Sequence, residues 1–261
     1  MLTSNPFAAL SSSIAPAIIQ TYVILMIVLV VAGTLFDIVH KGSAKYFFEN
    51  WRRSKSKRAK QVDGGELMSI ALQTAVVDVL AAGEFCSMRR RVAHLLTMYG
   101  FLIYFIAAAV MVFVYPTPAT PTPAILPQLW WIGGLMVMVG GYWFWFFIRV
   151  DVVAEGSTPL RIMRADLFIL SLLAAVTLGF IWAYLQATAS SAASLFFALY
   201  IVATTLLFGS VPWSKFAHMF FKPAAAFEKR MSYANGTRAN LPDPADQPEQ
   251  FGSARQLPRH Y

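Results

Sequence analysis

Two of the four histidines lie in surroundings that favour redox chemistry. His94 lies three residues after a basic run that ends in Arg90 and Arg91, and His218 lies three residues after Lys215. Neutral imidazoles from two helices of a bundle can supply both axial ligands of a b-type haem. The pattern therefore predicts one haem whose iron is bound by His94 and His218. Arg90, Arg91 and Lys215 are candidate partners of the haem propionates, because cations form strong hydrogen bonds with carboxylates.

A second interpretation of the same residues stays open. Lys and Arg are expected at the cytoplasmic ends of membrane helices for reasons of topology alone. Histidines at such a boundary can be solvated interface residues, which is how we interpret His40 and His260. In this interpretation the chain binds no haem and only tethers a soluble redox enzyme to the membrane. Iron content distinguishes the two, since both have the same topology and the same partner.

The elements that would position these histidines are apolar runs of about 20 residues, long enough to cross about 30 Å of hydrocarbon. Five such runs occupy residues 17–36, 92–114, 129–148, 167–185 and 192–211. All 21 Lys and Arg fall in segments 38–91, 149–166 and 213–261, on one side of these runs. Basic residues mark the cytoplasmic side. The sequence predicts an all-α integral membrane protein, a bundle of five transmembrane helices with a periplasmic N-terminus and a cytoplasmic C-terminus.

The chain divides into a membrane domain, residues 1–222, and a polar, proline-rich cytoplasmic tail, residues 223–261. The tail is either disordered or ordered by a partner. The basic inner loop, residues 38–91, includes a helical pattern that Asp63 and Glu66 can cap. We favour an interfacial helix packed on the bundle over a docking helix for another subunit. The net charge of +8 indicates anionic lipid head groups rather than nucleic acid.

Several classes of function are disfavoured by what the sequence contains. Cys86 is the single cysteine, and there is no C-x-x-C pair that would indicate an iron–sulfur cluster or attached haem. No flavin or nucleotide motif is present, so substrate chemistry is expected in partner subunits. A transporter is disfavoured because no acidic or basic residue lies in the middle of a span. Gln20 and Asp37 are polar residues whose partners the sequence does not identify.

Small and aromatic residues in the spans predict packing roles. The glycines of the third run are expected to allow close helix approach: Gly133, Gly134, Gly140 and Gly141. The tryptophans near span ends are expected to be interface anchors: Trp130, Trp131, Trp143, Trp145, Trp182 and Trp213.

Two segments resemble the gamma subunit of respiratory nitrate reductase and related membrane cytochromes of the Dsr, Hme and Qmo complexes. Residues 211–223 (VPWSKFAHMFFKP) are similar to the end of the family's last helix, where a haem-ligating histidine precedes a proline. Residues 89–101 (RRRVAHLLTMYGF) resemble its second helix. The resemblance implies a bacterial inner-membrane subunit that carries electrons between the quinone pool and a cytoplasmic flavin and iron–sulfur enzyme docked on the basic face. Adenylylsulfate reductase is a candidate partner, which would place the chain in sulfur metabolism as a non-catalytic subunit.

The chain departs from this family at two positions. Members with two haems carry further histidines ten residues after the first and eighteen before the last, where this chain has Tyr104 and Tyr200. Both ligands of an outer haem are thus missing together, which favours a single haem at the inner face and quinone chemistry close to it. For Tyr104 and Tyr200 we favour packing in the vacated haem volume, with a mutual hydrogen bond, over a quinone-binding role.

Overall fold

The structure is a computed structural model that describes residues 2–40, 49, 52, 60–83, 85, 87–149, 162–163, 166–213 and 218–237, the side chains of 218–221 excepted. All regular structure in these ranges is helical. The helices are α1 (Pro6–Ala9), α2 (Pro16–His40), α3 (Gly64–Gln73), α4 (Met88–Phe113), α5 (Ile125–Trp143), α6 (Leu167–Ala187), α7 (Ala193–Gly209) and α8 (His218–Ala234). π-helical turns extend α3 through Thr74–Leu80 and α5 through Phe144–Ile148. Most of the segment 41–59, Cys86, Lys215, His260 and the tail beyond Thr237 lie outside the described residues.

Four of the described helices are long and apolar enough to cross a membrane, namely α2, α4, α6 and the extended α5 (Ile125–Ile148). The prediction of a multi-pass helical membrane protein is confirmed at this level. The fifth apolar run forms α7, which has 17 residues and ends at Gly209. At 1.5 Å per residue this helix is about 26 Å long, slightly less than the hydrocarbon core. A 3-10 turn, Val211–Trp213, follows it, and Pro212 in that turn has no N–H to continue an α-helix.

The chain forms two compact units, of which the first comprises Met1–His40 and Val92–Ala217. The glycines of the extended α5 are packing residues, as predicted. A Cβ atom at Gly140 would lie 2.7 Å from the Ala93 carbonyl oxygen, and one at Gly133 would lie 2.6 Å from the Tyr104 nitrogen. Helices α4 and α5 therefore touch backbone to backbone, which only glycine permits. Gly141 similarly faces Leu173 of α6.

Polar side chains form hydrogen bonds and an ion pair between separate segments of the first unit. Asn5 caps α1 and also donates from Nδ2 to the Tyr115 carbonyl oxygen, 2.9 Å away. Gln20, which had no recognisable partner in the sequence, donates to the Val112 carbonyl oxygen at 3.1 Å. At the opposite end Arg149 and Asp166 form a buried bidentate ion pair, with side chains only 5% and 10% exposed. These hydrogen bonds and the ion pair satisfy polar groups that the hydrocarbon of a membrane could not solvate.

The second unit comprises Lys41–Arg91 and His218–Tyr261. Asp63 caps α3 as predicted, since its Oδ1 accepts from the Glu66 amide at 2.7 Å. Helix α8 packs on α3 and on the π-helical turn that follows. Arg230 of α8 donates to Asp78 Oδ1 at 2.9 Å and to Gln73 Oε1 at 3.0 Å. The first part of the predicted tail is thus helical as far as Ala234. One face of this helix is packed, because Arg230 binds the carboxylate of Asp78 in the π-helical extension of α3.

Candidate functional site

His94 lies on α4, seven positions into a helix that is long and apolar enough to span a membrane. Its side chain is half-buried, and the preceding residue Ala93 belongs to the close contact with Gly140. Arg90 is also half-buried. Arg91 has a structural role, because its Nε donates to the Ala81 carbonyl oxygen at 2.8 Å. The imidazole therefore follows a basic first turn, in the order that the sequence predicts.

His218 is the first residue of α8, which is separate from the last apolar helix. Eight residues separate it from Gly209, where α7 ends, and a 3-10 turn lies among them, so it does not continue the helix of the fifth apolar run. His94 and His218 fall in different compact units. Their pairing around one iron atom therefore stays a prediction, as does the role of Lys215, which lies outside the described residues.

Of the two imidazoles that a bis-histidine haem site needs, the structure describes the side chain of His94. His94 is a half-buried imidazole on an apolar helix. The neighbouring arginines lie in the first turn of the same helix, where they are suited to pairing with propionates.

Tyr104 and Tyr200, predicted from the resemblance to mark a second site, do come together in the first unit. They lie on α4 and α7, are 6% and 8% exposed, and line one cavity. Both pack against Gly179 of α6: a Cβ there would lie 2.8 Å from Tyr104 Oη and 3.1 Å from Tyr200 Cε2. The absence of a side chain at this glycine provides the space for both rings.

Each tyrosine ring is stacked on a tryptophan. The Tyr104 and Trp130 centroids are 5.0 Å apart at 25°, and those of Tyr200 and Trp182 are 5.6 Å apart at 11°. Trp130 is fully buried and Trp182 is 1% exposed. The prediction that these two tryptophans are interface anchors was therefore wrong. Hydropathy placed them near span ends, but the short helix α1 covers them there, with Phe7 contacting both rings.

The cluster contains buried hydrogen-bond donors without acceptors. Among the described residues, Tyr104 Oη, Trp130 Nε1 and Trp131 Nε1 have no hydrogen-bond partner. The side chains of Tyr104 and Tyr200 lie near each other, but they do not form the mutual hydrogen bond of normal length and angle that the sequence suggested. Orphaned buried donors are uncommon and costly in folded proteins. They make this cluster a place where water or a ligand acceptor oxygen would be stabilised.

The cavity beside the tyrosines lies among α2, α4, α6 and α7 and has a volume of about 70 Å³ that the centre of a water-sized sphere can occupy. Its walls are almost entirely apolar. Its polar edge is formed by Tyr22, whose hydroxyl lies 2.6 Å from Thr204 Oγ1 and 3.0 Å from Thr205 Oγ1. Sequence reasoning missed this group, although a tyrosine and two adjacent threonines inside apolar runs were visible. An apolar cavity with few polar groups is the usual form of a small-molecule site.

The fold and these sites define a multi-pass helical membrane protein with a buried aromatic cluster and an apolar cavity between its helices. The chain matches no family model, no curated protein and no solved structure.

Proposed function

We propose that this chain is the membrane subunit of a bacterial redox complex. It has five spans, with α7 as the fifth, a periplasmic N-terminus and a cytoplasmic C-terminus. It holds one b-type haem between His94 and His218 and passes electrons between a cytoplasmic flavin and iron–sulfur enzyme and the quinone pool. The observation that carries the proposal is a half-buried His94 three residues after the basic first turn of a membrane-spanning helix.

When bound, the haem would supply reversible one-electron transfer. The residues of this chain would hold it and set its environment. His94 and His218 would donate imidazole nitrogens to the iron, and the cations beside them would neutralise the propionates. The apolar helices around His94 would exclude water, so that the charge of the iron site is balanced by fixed groups.

A single haem is supported by the aromatic cluster. The ring of Tyr104 is stacked on Trp130, and its hydroxyl lies against Gly179, so this side chain is packed against two neighbouring helices. Tyr104 also lies ten residues from His94 along α4, about 15 Å. Without a second haem at that depth, quinone chemistry is expected in the inner half of the bilayer, close to His94. Turnover in sealed vesicles should then generate little membrane potential.

The decisive experiment is a dithionite-reduced minus oxidised spectrum of the purified chain. His94→Ala and His218→Ala should each abolish a b-type signal present at one haem per chain. His40→Ala is the matched control and should retain the signal, because His40 is stacked on Phe36 at the end of α2, 4.8 Å between centroids. Absence of haem from the intact folded chain would contradict the proposal and leave the second candidate, a haem-free tether of the same redox enzyme.

The cavity beside Tyr104 and Tyr200 is the alternative position for the quinone. Ala108 lines it and is only half-buried, so Ala108→Leu would place three further carbon atoms in the empty space. If the quinone reacts near His94, this variant should keep normal quinone reduction and gain stability from the filled volume. A specific rise in the quinone KM, with unchanged haem content, would instead place the quinone ring in the cavity.

A further inference from the structure

One face of the helix formed by α3 and its π-helical extension is an unbroken apolar stripe. It consists of Met68, Leu72, Val76 and Leu80, spaced four residues apart and 70%, 63%, 47% and 50% exposed. Ile70 lies opposite this stripe by helical geometry and is 8% exposed. The helix therefore has a covered face and a separate apolar face, and a patch of this kind marks an interaction site.

The carboxyl end of the stripe is joined by a hydrogen bond to the first turn of α4. The stripe ends at Leu80, and the next carbonyl oxygen, that of Ala81, accepts the hydrogen bond from Arg91 Nε at 2.8 Å. Arg91 lies in the first turn of α4, which runs from Met88 into a membrane-spanning helix. Arginines at the start of a span lie at the level of the lipid head groups. The end of the stripe is therefore within reach of the bilayer surface.

The charge of the second unit favours an anionic surface. This unit contains 17 Lys and Arg against nine Asp and Glu, a net charge of +8, whereas the first unit contains four of each. The whole net charge of the chain thus belongs to the unit that carries the stripe. Anionic head groups of an inner leaflet attract such a unit through each nearby cation.

We propose that the stripe lies in the boundary between head groups and acyl chains of an anionic membrane, parallel to its surface. Met68, Leu72 and Val76 enter the acyl region, while the cations of the second unit contact lipid phosphates. Amphipathic helices bind membranes in this way when apolar area and positive charge act together. The surface insertion fixes the second unit to the bilayer. It does not depend on the haem or on the redox partner.

The test uses the full chain with Cys86→Ser, reconstituted into vesicles of phosphatidylethanolamine and phosphatidylglycerol. Single cysteines at Met68, Leu72 and Val76 receive a nitroxide label, and collisions with dioxygen and with a water-soluble nickel chelate are measured. Tyr233→Cys on α8 is the control, because Tyr233 is 49% exposed on a helix that carries no part of the stripe. The same samples are prepared in phosphatidylcholine, which has no net charge.

The expected result is high dioxygen and low nickel accessibility at the three stripe positions and the reverse at position 233. In phosphatidylcholine the stripe positions should become more accessible to nickel. Nickel accessibility at the stripe equal to that at position 233 in the anionic vesicles would overturn the proposal. Shielding of the stripe from both reagents would also overturn it, because a protein surface, such as a second copy of this chain, would then cover the helix.

Discussion

The contact between Tyr104 and Gly179 permits a sharp test of how the aromatic cluster is built. Gly179→Ala introduces a Cβ atom 2.8 Å from Tyr104 Oη and 3.1 Å from Tyr200 Cε2, both closer than normal van der Waals contact. Overpacking of this kind costs about 1–3 kcal/mol. The gain from replacing glycine within a helix offsets roughly 0.5–1 kcal/mol of this. We expect Gly179→Ala to lower the free energy of unfolding by about 1–2 kcal/mol.

The single variant Tyr104→Phe should raise the free energy of unfolding, which is the opposite of the effect expected for Gly179→Ala. It removes a buried hydroxyl that has no hydrogen-bond partner among the described residues, and such a group costs about 1–3 kcal/mol. The ring keeps its stacking on Trp130, so we expect a gain of about 1 kcal/mol after the small void is counted. In the double variant the clash between the new Cβ and the hydroxyl is absent. The two substitutions should therefore couple favourably by about 1 kcal/mol or more.

The four proteins of this cycle can be compared by unfolding in detergent micelles with increasing sodium dodecyl sulfate, followed by circular dichroism. Haem content and quinone reduction are measured on the same preparations and should not differ between Tyr104→Phe and the parent chain. A zero coupling energy would refute the assigned contact. A loss of stability in Tyr104→Phe would show that the hydroxyl has an acceptor, and a loss of quinone reduction would identify that acceptor as the substrate.

Three further substitutions follow from the polar contacts outside this cluster. Asp166→Asn should lower stability by about 3 kcal/mol in thermal unfolding, because it leaves the buried guanidinium of Arg149 without its carboxylate; an unchanged midpoint would contradict the buried pair. Arg230→Met should weaken the packing of α8 on α3 by about 1–2 kcal/mol, since Arg230 is partly exposed, and amide exchange in α8 should accelerate. Burial raises the pKa of Glu228 above its ordinary value. The contribution of this group to the stability of the folded state is therefore fully present below the ordinary pKa and is lost as the pH rises through the raised pKa. Glu228→Gln should therefore slow amide exchange in α8 at neutral pH, with no difference from the parent chain in acid, and a difference that persists in acid would contradict the burial of this carboxyl.

Local features of the chain predicted much of the architecture. The positions of the apolar helices follow from hydropathy, because hydrocarbon requires every backbone group to be paired within its own segment. Capping of α3 by Asp63 follows from a side chain and an amide three residues away. The close approach of α4 and α5 follows from the glycines, because a glycine has no side chain to keep the backbone of a neighbouring helix away. These features depend on residues near one another in sequence or on the solvent alone.

Other predictions failed or stayed open because they depend on how helices are oriented. The burial of Trp130 and Trp182 required α1 to fold over the bundle end, and the partner of Gln20 is a carbonyl group 92 residues away. The packing of α8 on α3 depends on Arg230 reaching Asp78, which a polar, proline-rich composition does not reveal. Whether His94 and His218 meet is a question of the same kind, and the haem spectrum addresses it.

By itself, the sequence determined that the chain forms apolar membrane helices with every Lys and Arg outside the predicted outer loops. Only the tertiary structure decided which side chains within those helices face the interior. It brings Tyr104 and Tyr200 together against Gly179. The physical reason is that lipid and protein interior are equally apolar. Hydropathy separates core from surface in water, but within a membrane it cannot distinguish a side chain that faces lipid from one that lines a cavity.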